Sequence, residues 1–105
     1  TGNFAQFLAD VRSRWPFLGD ARSERMARAY GTRIETLLGA AKSASDMGED
    51  FGAGLTQVEV DYLVRVEWAR TVDDMLWRRS KLGLRLSAHQ IGRLRDYLVS
   101  GWYYA

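Results

Sequence analysis

Apolar residues at Phe4, Phe7, Leu8, Val11 and Trp15 keep the spacing of one helical face, Asn3 stands where an N-cap belongs, and Pro16 cannot continue the run. A first helix follows from that pattern. The Ala- and Arg-rich segment from about Ala21 to Tyr30 predicts a second, closed by Gly31 in a left-handed C-terminal cap. Further along, Thr32 with Glu35, Thr56 with Glu59, Thr71 with Asp74 and Ser87 with Gln90 carry the capping-box pattern, in which a hydroxyl and a polar side chain satisfy each other's backbone N–H. Asp74 makes the weakest of these, its side chain being one carbon short. Behind the caps come Ile34, Leu37 and Leu38; Val58 to Trp68; Val72, Met75 and Leu76; and Ile91, Leu94, Leu98 and Trp102. The fold class predicted is all-α, a compact bundle of about five to six short helices.

One segment offers a competing period. Val58, Val60, Tyr62, Val64 and Val66 alternate with charged residues as a strand would. Against a strand stand the Thr56 cap, Leu63 breaking the alternation, the lack of a partner strand, and Leu55 with Val60 placed as a hydrophobic staple. As a helix it is apolar almost all round, which describes a central helix, near residues 57–69, enclosed by its neighbours. The segment from Ala40 to Leu55, rich in Gly and Ser with Asp46, Glu49 and Asp50, reads as the long solvated loop.

The length of 105 residues suits one domain with a core burying about two-thirds of the unfolded chain's surface. A hydrophobic fraction of 47% with 27% charged residues is that of a globular chain rather than a disordered one, and no apolar run has the length of a membrane span. The absence of Cys removes disulfides, thiol nucleophiles and cysteine metal sites. Thirteen Arg and two Lys against thirteen carboxylates leave a net charge of +2, too mild to demand a polyanionic partner. The opening Thr1-Gly2-Asn3, without an initiator Met, reads as a cut within something larger.

Several features resemble chemistry, and each has a structural reading. Aligned from Asp46, the EF-hand pattern meets Gly48 at its second carboxylate, Phe51 at its obligatory glycine and Gln57 at its bidentate glutamate, so calcium binding is not expected. His89 lacks a second ligand or a triad partner. No phosphate-binding glycine motif occurs, and Gly52 with Gly54 does not make one. Asp73 and Asp74 suit the first turn of a helix begun by Thr71, with Asp74 reaching Arg78; Arg78, Arg79 and Lys81 suit its last turn, which Gly83 closes. A helix-turn-helix from Thr71 to Trp102 would present His89, Gln90 and Arg93 to bases and Arg78, Arg79, Lys81, Arg85 and Arg95 to phosphates, but the connection from Leu82 to Ser87 is long for that motif. A membrane-surface role for the first helix is weakened by Asp10 among Arg12 and Arg14. The rings of Trp102, Tyr103 and Tyr104 are those most in need of a partner.

The stretch from Glu67 to Leu84, EWARTVDDMLWRRSKLGL, resembles the signature of the C-terminal helical domain of aerobic, FAD-dependent glycerol-3-phosphate dehydrogenases. Arg28 to Arg33 (RAYGTR) and Val58 to Val66 (VEVDYLVRV) extend the resemblance over most of the chain, from about Trp15 to Leu98. It implies a parent flavoenzyme that oxidises sn-glycerol 3-phosphate to dihydroxyacetone phosphate through FAD, passes electrons to quinone, and is peripheral on the cytoplasmic face of the bacterial inner membrane. It further implies that residues 1–105 are a single non-catalytic accessory domain, whose partners are the N-terminal FAD and substrate domain of the same chain and a second copy in a homodimer. No catalytic, metal or cofactor-binding residue, and no nucleic acid, is expected here. The expected structural and interaction residues are Glu67, Arg70, Thr71, Asp73, Asp74, Arg78 and Arg79. Among them Glu67, Arg70 and Arg79 are expected to make polar contacts across helices or to the absent part, and breaking a buried pair would cost on the order of 3 to 5 kcal/mol.

Overall fold

A computed structural model describes residues 3–39, 41–67, 69, 71–80 and 82–100, with the backbone alone at Arg78 and Arg79. The chain forms two compact units, Thr1–Met47 and Gly48–Ala105.

In the first unit the predicted start of the first helix and the predicted ends of the first and second operate as local chemistry requires. Asn3 Oδ1 accepts from the Gln6 N–H at 3.3 Å and opens α1 (Phe4–Arg14), and Pro16 begins a short 3₁₀ turn where α1 stops. Helix α2 (Asp20–Tyr30) ends at Gly31, whose φ of +57° lies in the left-handed region and whose N–H bonds the Ala27 carbonyl. Helices α1 and α2 pack together with Leu8, Val11, Trp15, Met26, Ala27 and Tyr30 buried. Arginines close the turns: Arg22 donates to the carbonyls of Phe17 and Leu18, Arg33 to those of Ala29 and Tyr30, and Arg12 to Ser23 Oγ and the Asp20 carbonyl.

Thr32 does not cap. It lies inside a 3₁₀ turn (Gly31–Arg33) that runs directly into α3 (Ile34–Leu38), so the residue before α3 is Arg33, with helical φ of −66° and ψ of −10°. A capping box needs an extended N-cap residue, and none exists here. Glu35 instead accepts from Arg14 at 3.0 Å.

The second unit begins with a segment less solvated than its composition suggests. Phe51, Gly52, Leu55 and Thr56 are all buried. Phe51 N–H donates to the Leu55 carbonyl at 2.8 Å, and Asp50 and Thr56 form an isolated antiparallel bridge. Two carboxylates of the long loop, Asp50 and Asp46, serve its own backbone. Asp50 Oδ1 accepts from Gly52 N–H at 2.8 Å, and in the first unit Asp46 Oδ2 accepts from Lys42 N–H at 2.8 Å, each closing a turn.

The segment with the period of two is helical, as α4 (Gln57–Arg65), but it stops at Arg65 rather than near residue 69. Leu55 and Val60 are fully buried as the staple predicts, together with Tyr62 and Leu63. Thr56 holds the N-cap position with extended backbone, yet its hydroxyl makes no cap bond and Oγ1 is buried without a partner. The bridge to Asp50 sets the entry of the chain in its place. A π-helical turn (Asp74–Arg79), a 3₁₀ turn (Gly83–Arg85) and α5 (Ala88–Ser100) complete the unit. The Ser87 box is fully formed: Ser87 N–H donates to Gln90 Oε1 at 2.8 Å and Gln90 N–H to Ser87 Oγ at 3.1 Å. Trp102, Tyr103 and Tyr104 lie outside the described residues.

Candidate functional site

Glu67 to Leu84 is the segment singled out by sequence, and its geometry begins where α4 unwinds. The N–H groups of Val66 and Glu67 both point to the Tyr62 carbonyl, at 2.9 and 3.4 Å, while Ala69 N–H reaches back to the Leu63 carbonyl at 2.9 Å. Tyr62 donates its hydroxyl to Glu67 Oε2 at 3.2 Å, so the half-buried Glu67 carboxylate fastens the end of α4. Thr71 caps the following turn, accepting from Asp74 N–H at 3.0 Å, as predicted. Asp73 is exposed and Asp74 half-buried, both in the first turn, where negative charge is favoured. Arg70, the Arg78 and Arg79 side chains, and the expected Asp74–Arg78 pair lie outside the described residues.

The turn after Thr71 departs from the expected α-helix. It is π-helical, and Gly83 does not close it: Ser80 does, its N–H donating to the Met75 carbonyl at 2.8 Å. Gly83 is needed for another reason. A Cβ there would stand 2.5 Å from the Trp77 ring. Neither role has a periodic signal in the sequence, because a single π turn interrupts periodicity instead of repeating it.

With Glu67→Ala the Tyr62 bond to a charged acceptor is lost at a partly exposed site. A destabilisation of about 1 to 2 kcal/mol is expected, read as a lowered midpoint of thermal unfolding. An unchanged midpoint would remove Glu67 from the fastening of α4.

A second polar cluster lies between the Gly48 to Thr56 stretch and α5. Arg93 donates to Glu49 at 2.6 Å and lies 5.9 Å from the Phe51 ring centroid; Tyr97 donates to Asp61 at 2.6 Å and its ring stands 5.2 Å from that of Phe51. Two of the three side chains a helix-turn-helix would offer to bases are therefore engaged within the chain, Gln90 as a cap and Arg93 as an ion pair.

In the first unit Asn3, Phe4, Phe7, Gly31 and Thr32 line an open hollow of about 290 Å³, flanked by Arg28, whose guanidinium sits 4.4 Å over the Phe4 ring. None of its described lining side chains is ionisable. Among the described residues no group of three or more His, Asp or Glu could hold a metal ion, and no helix is long and apolar enough to cross a membrane.

A flavin dinucleotide would need glycines whose open side receives phosphate. At Gly48, Gly52 and Gly83 that side is filled by the chain itself, whereas at Gly19, Gly31, Gly39 and Gly92 it is open. The Gln57 side chain backs Gly48, Gln90 backs Gly52 and Trp77 backs Gly83, each within 2.7 Å of where a Cβ would stand. These glycines do not fit an FAD site.

Residues 3–93 match the family described as the C-terminal domain of alpha-glycerophosphate oxidase. Among curated relatives, the aerobic glycerol-3-phosphate dehydrogenase of Escherichia coli (strain K12) is 45% identical over 98 residues, covering 93% of this chain and 20% of that protein. A glycerol-3-phosphate dehydrogenase of Pseudomonas aeruginosa is 49% identical over 90 residues, covering 86% and 18%. D-erythritol 1-phosphate dehydrogenase of Brucella abortus is 32% identical over 85 residues, covering 81% and 17%. The chain thus spans about a fifth of the length of these relatives. A helical chain matched across both of its units belongs to the family of the C-terminal domain of alpha-glycerophosphate oxidase.

Proposed function

We propose that residues 1–105 act as one non-catalytic accessory domain of an FAD-dependent sn-glycerol-3-phosphate dehydrogenase. The observation carrying this reading is the family match over residues 3–93. In the parent enzyme FAD oxidises glycerol 3-phosphate to dihydroxyacetone phosphate and hands electrons to quinone at the cytoplasmic face of the membrane. FAD and substrate belong to the longer N-terminal portion. This domain packs against that portion and supports its homodimer, through the segment containing Glu67, Arg70, Asp73, Asp74, Arg78 and Arg79. The relative named for D-erythritol 1-phosphate also acts on a polyol phosphate, which fits an accessory role shared across substrates.

The test is direct. Purified residues 1–105 are expected to carry no flavin absorbance and to reduce no dye with glycerol 3-phosphate, while a parent enzyme lacking this domain should lose thermal stability or dimer content. Flavin co-purifying with the isolated chain, or a truncated parent with unaltered melting and assembly, would overturn the reading.

A further inference from the structure

The π-helical turn lies inside the family signature, and one buried side chain bonds on both sides of its end. Ser80 is only 4% exposed; its hydroxyl donates to the Met75 carbonyl at 2.8 Å, the same oxygen that its own N–H reaches at 2.8 Å, and it accepts from Leu82 N–H at 3.4 Å. In an α-helix the Ser80 N–H would go to Leu76 instead. Two donors from one residue converging on the Met75 oxygen favour the wider turn. A π turn holds one residue more than an α turn, so changing from one to the other swings the intervening side chains by about 100° around the axis. Met75, Leu76 and Leu82 are buried at 0%, 1% and 1% exposure, which fixes both flanks and leaves the extra residue to be absorbed between them. Trp77 occupies that interval, 52% exposed, with its ring against the bare Cα of Gly83.

We infer that Ser80 is a positioning residue: its hydroxyl holds the signature in the π register, and together with Gly83 it fixes the direction in which Trp77 is presented. This goes beyond the accessory role proposed above and stands whether or not that role does. Substituting Ser80 removes the hydroxyl's bond to Met75 and the acceptor for Leu82 N–H, so the turn is released toward α geometry and the indole moves. Adding a methyl at Gly83 moves the indole by a different route, through contact with the ring, without touching the Ser80 bonds.

The full chain, isotopically labelled, is expected to show a through-hydrogen-bond coupling between the Ser80 nitrogen and the Met75 carbonyl carbon. Coupling to Leu76 instead overturns the inference before any variant is made. With fluorotryptophan incorporated, and the Trp77 resonance assigned through Trp77→Phe, Ser80→Ala should shift that resonance and abolish the Met75 coupling, while the Trp15 resonance stays in place. Ser80→Thr, which keeps the hydroxyl, should return the Trp77 resonance toward its original position. Gly83→Ala should shift it with the Met75 coupling intact. A Trp77 resonance that does not move in Ser80→Ala overturns the inference. If Ser80→Ala fails to fold, the coupling in the unaltered chain decides alone.

Discussion

Truncating Phe51 to alanine is expected to cost about 3 to 5 kcal/mol of folding stability, the range for removing a large ring from a packed core. Phe51 is 2% exposed although it lies in a segment full of glycine and acidic residues. Its ring stands 5.2 Å from Tyr97 at an interplanar angle of 46°, a tilted arrangement that adds roughly 0.5 to 1.5 kcal/mol beyond burial. The guanidinium of Arg93 lies on the same ring, and Tyr97 is tied in turn to Asp61. Phe51 is therefore where the loop before α4 and the helix α5 share a core. Thermal unfolding followed by circular dichroism should fall by more than roughly 10 °C in Phe51→Ala, and by less in Phe51→Leu, which keeps most of the volume. A loss below about 1 kcal/mol would mean that the site collapses without a cavity, contrary to the packing described.

Gly52→Ala is expected to cost about 2 to 4 kcal/mol, from two sources that can be separated. The φ of +138° at Gly52 is a conformation that only glycine adopts readily, and forcing it on alanine costs on the order of 1 to 3 kcal/mol. The new methyl would also stand 2.7 to 2.9 Å from the Gln90 carboxamide. That group is the far end of a flexible side chain, but it is held by the Ser87 N–H, so displacing it dissolves the capping box of α5 at a cost of about 1 kcal/mol. Introduced into a Gln90→Ala background, Gly52→Ala should lose the second contribution and keep the first. Gly92, inside α5 with no atom near its open side, makes the opposite case: Gly92→Ala should raise stability by about 0.5 to 1 kcal/mol. A Gly52→Ala chain that melts with the unaltered one would show that this turn adopts another conformation.

The cap signals illustrate how far local pattern reaches. Ser87 and Gln90 form their box where the chain arrives extended at Leu86, and Asn3 caps with an extended backbone of its own. Thr32 carries the same letters and fails, because the preceding turn delivers the chain already helical. Thr56 arrives extended but leaves its hydroxyl unused, since the bridge to Asp50 directs the chain. A cap is thus legible as a possibility in four residues, and its realisation depends on the residues before them. The signature was readable as a family resemblance without its geometry being readable. Nothing in the letters from Asp74 to Arg79 indicates that the turn is π, or that Gly83 makes room for Trp77 rather than ending a helix.

The all-helical class, the start and end of α1 and α2, the helical resolution of Val58 to Val66, and the family resemblance were determined by sequence alone. They rest on apolar spacing, on single residues with strong backbone preferences and on a run of letters, all of which act within a few neighbours. Tertiary structure decided the burial of Phe51, the engagement of Gln90 and Arg93, and the π register around Ser80. Each of these depends on which distant groups the packed chain brings within about 3 to 6 Å, and a contact across 44 residues, as between Glu49 and Arg93, leaves no local trace for periodicity to detect.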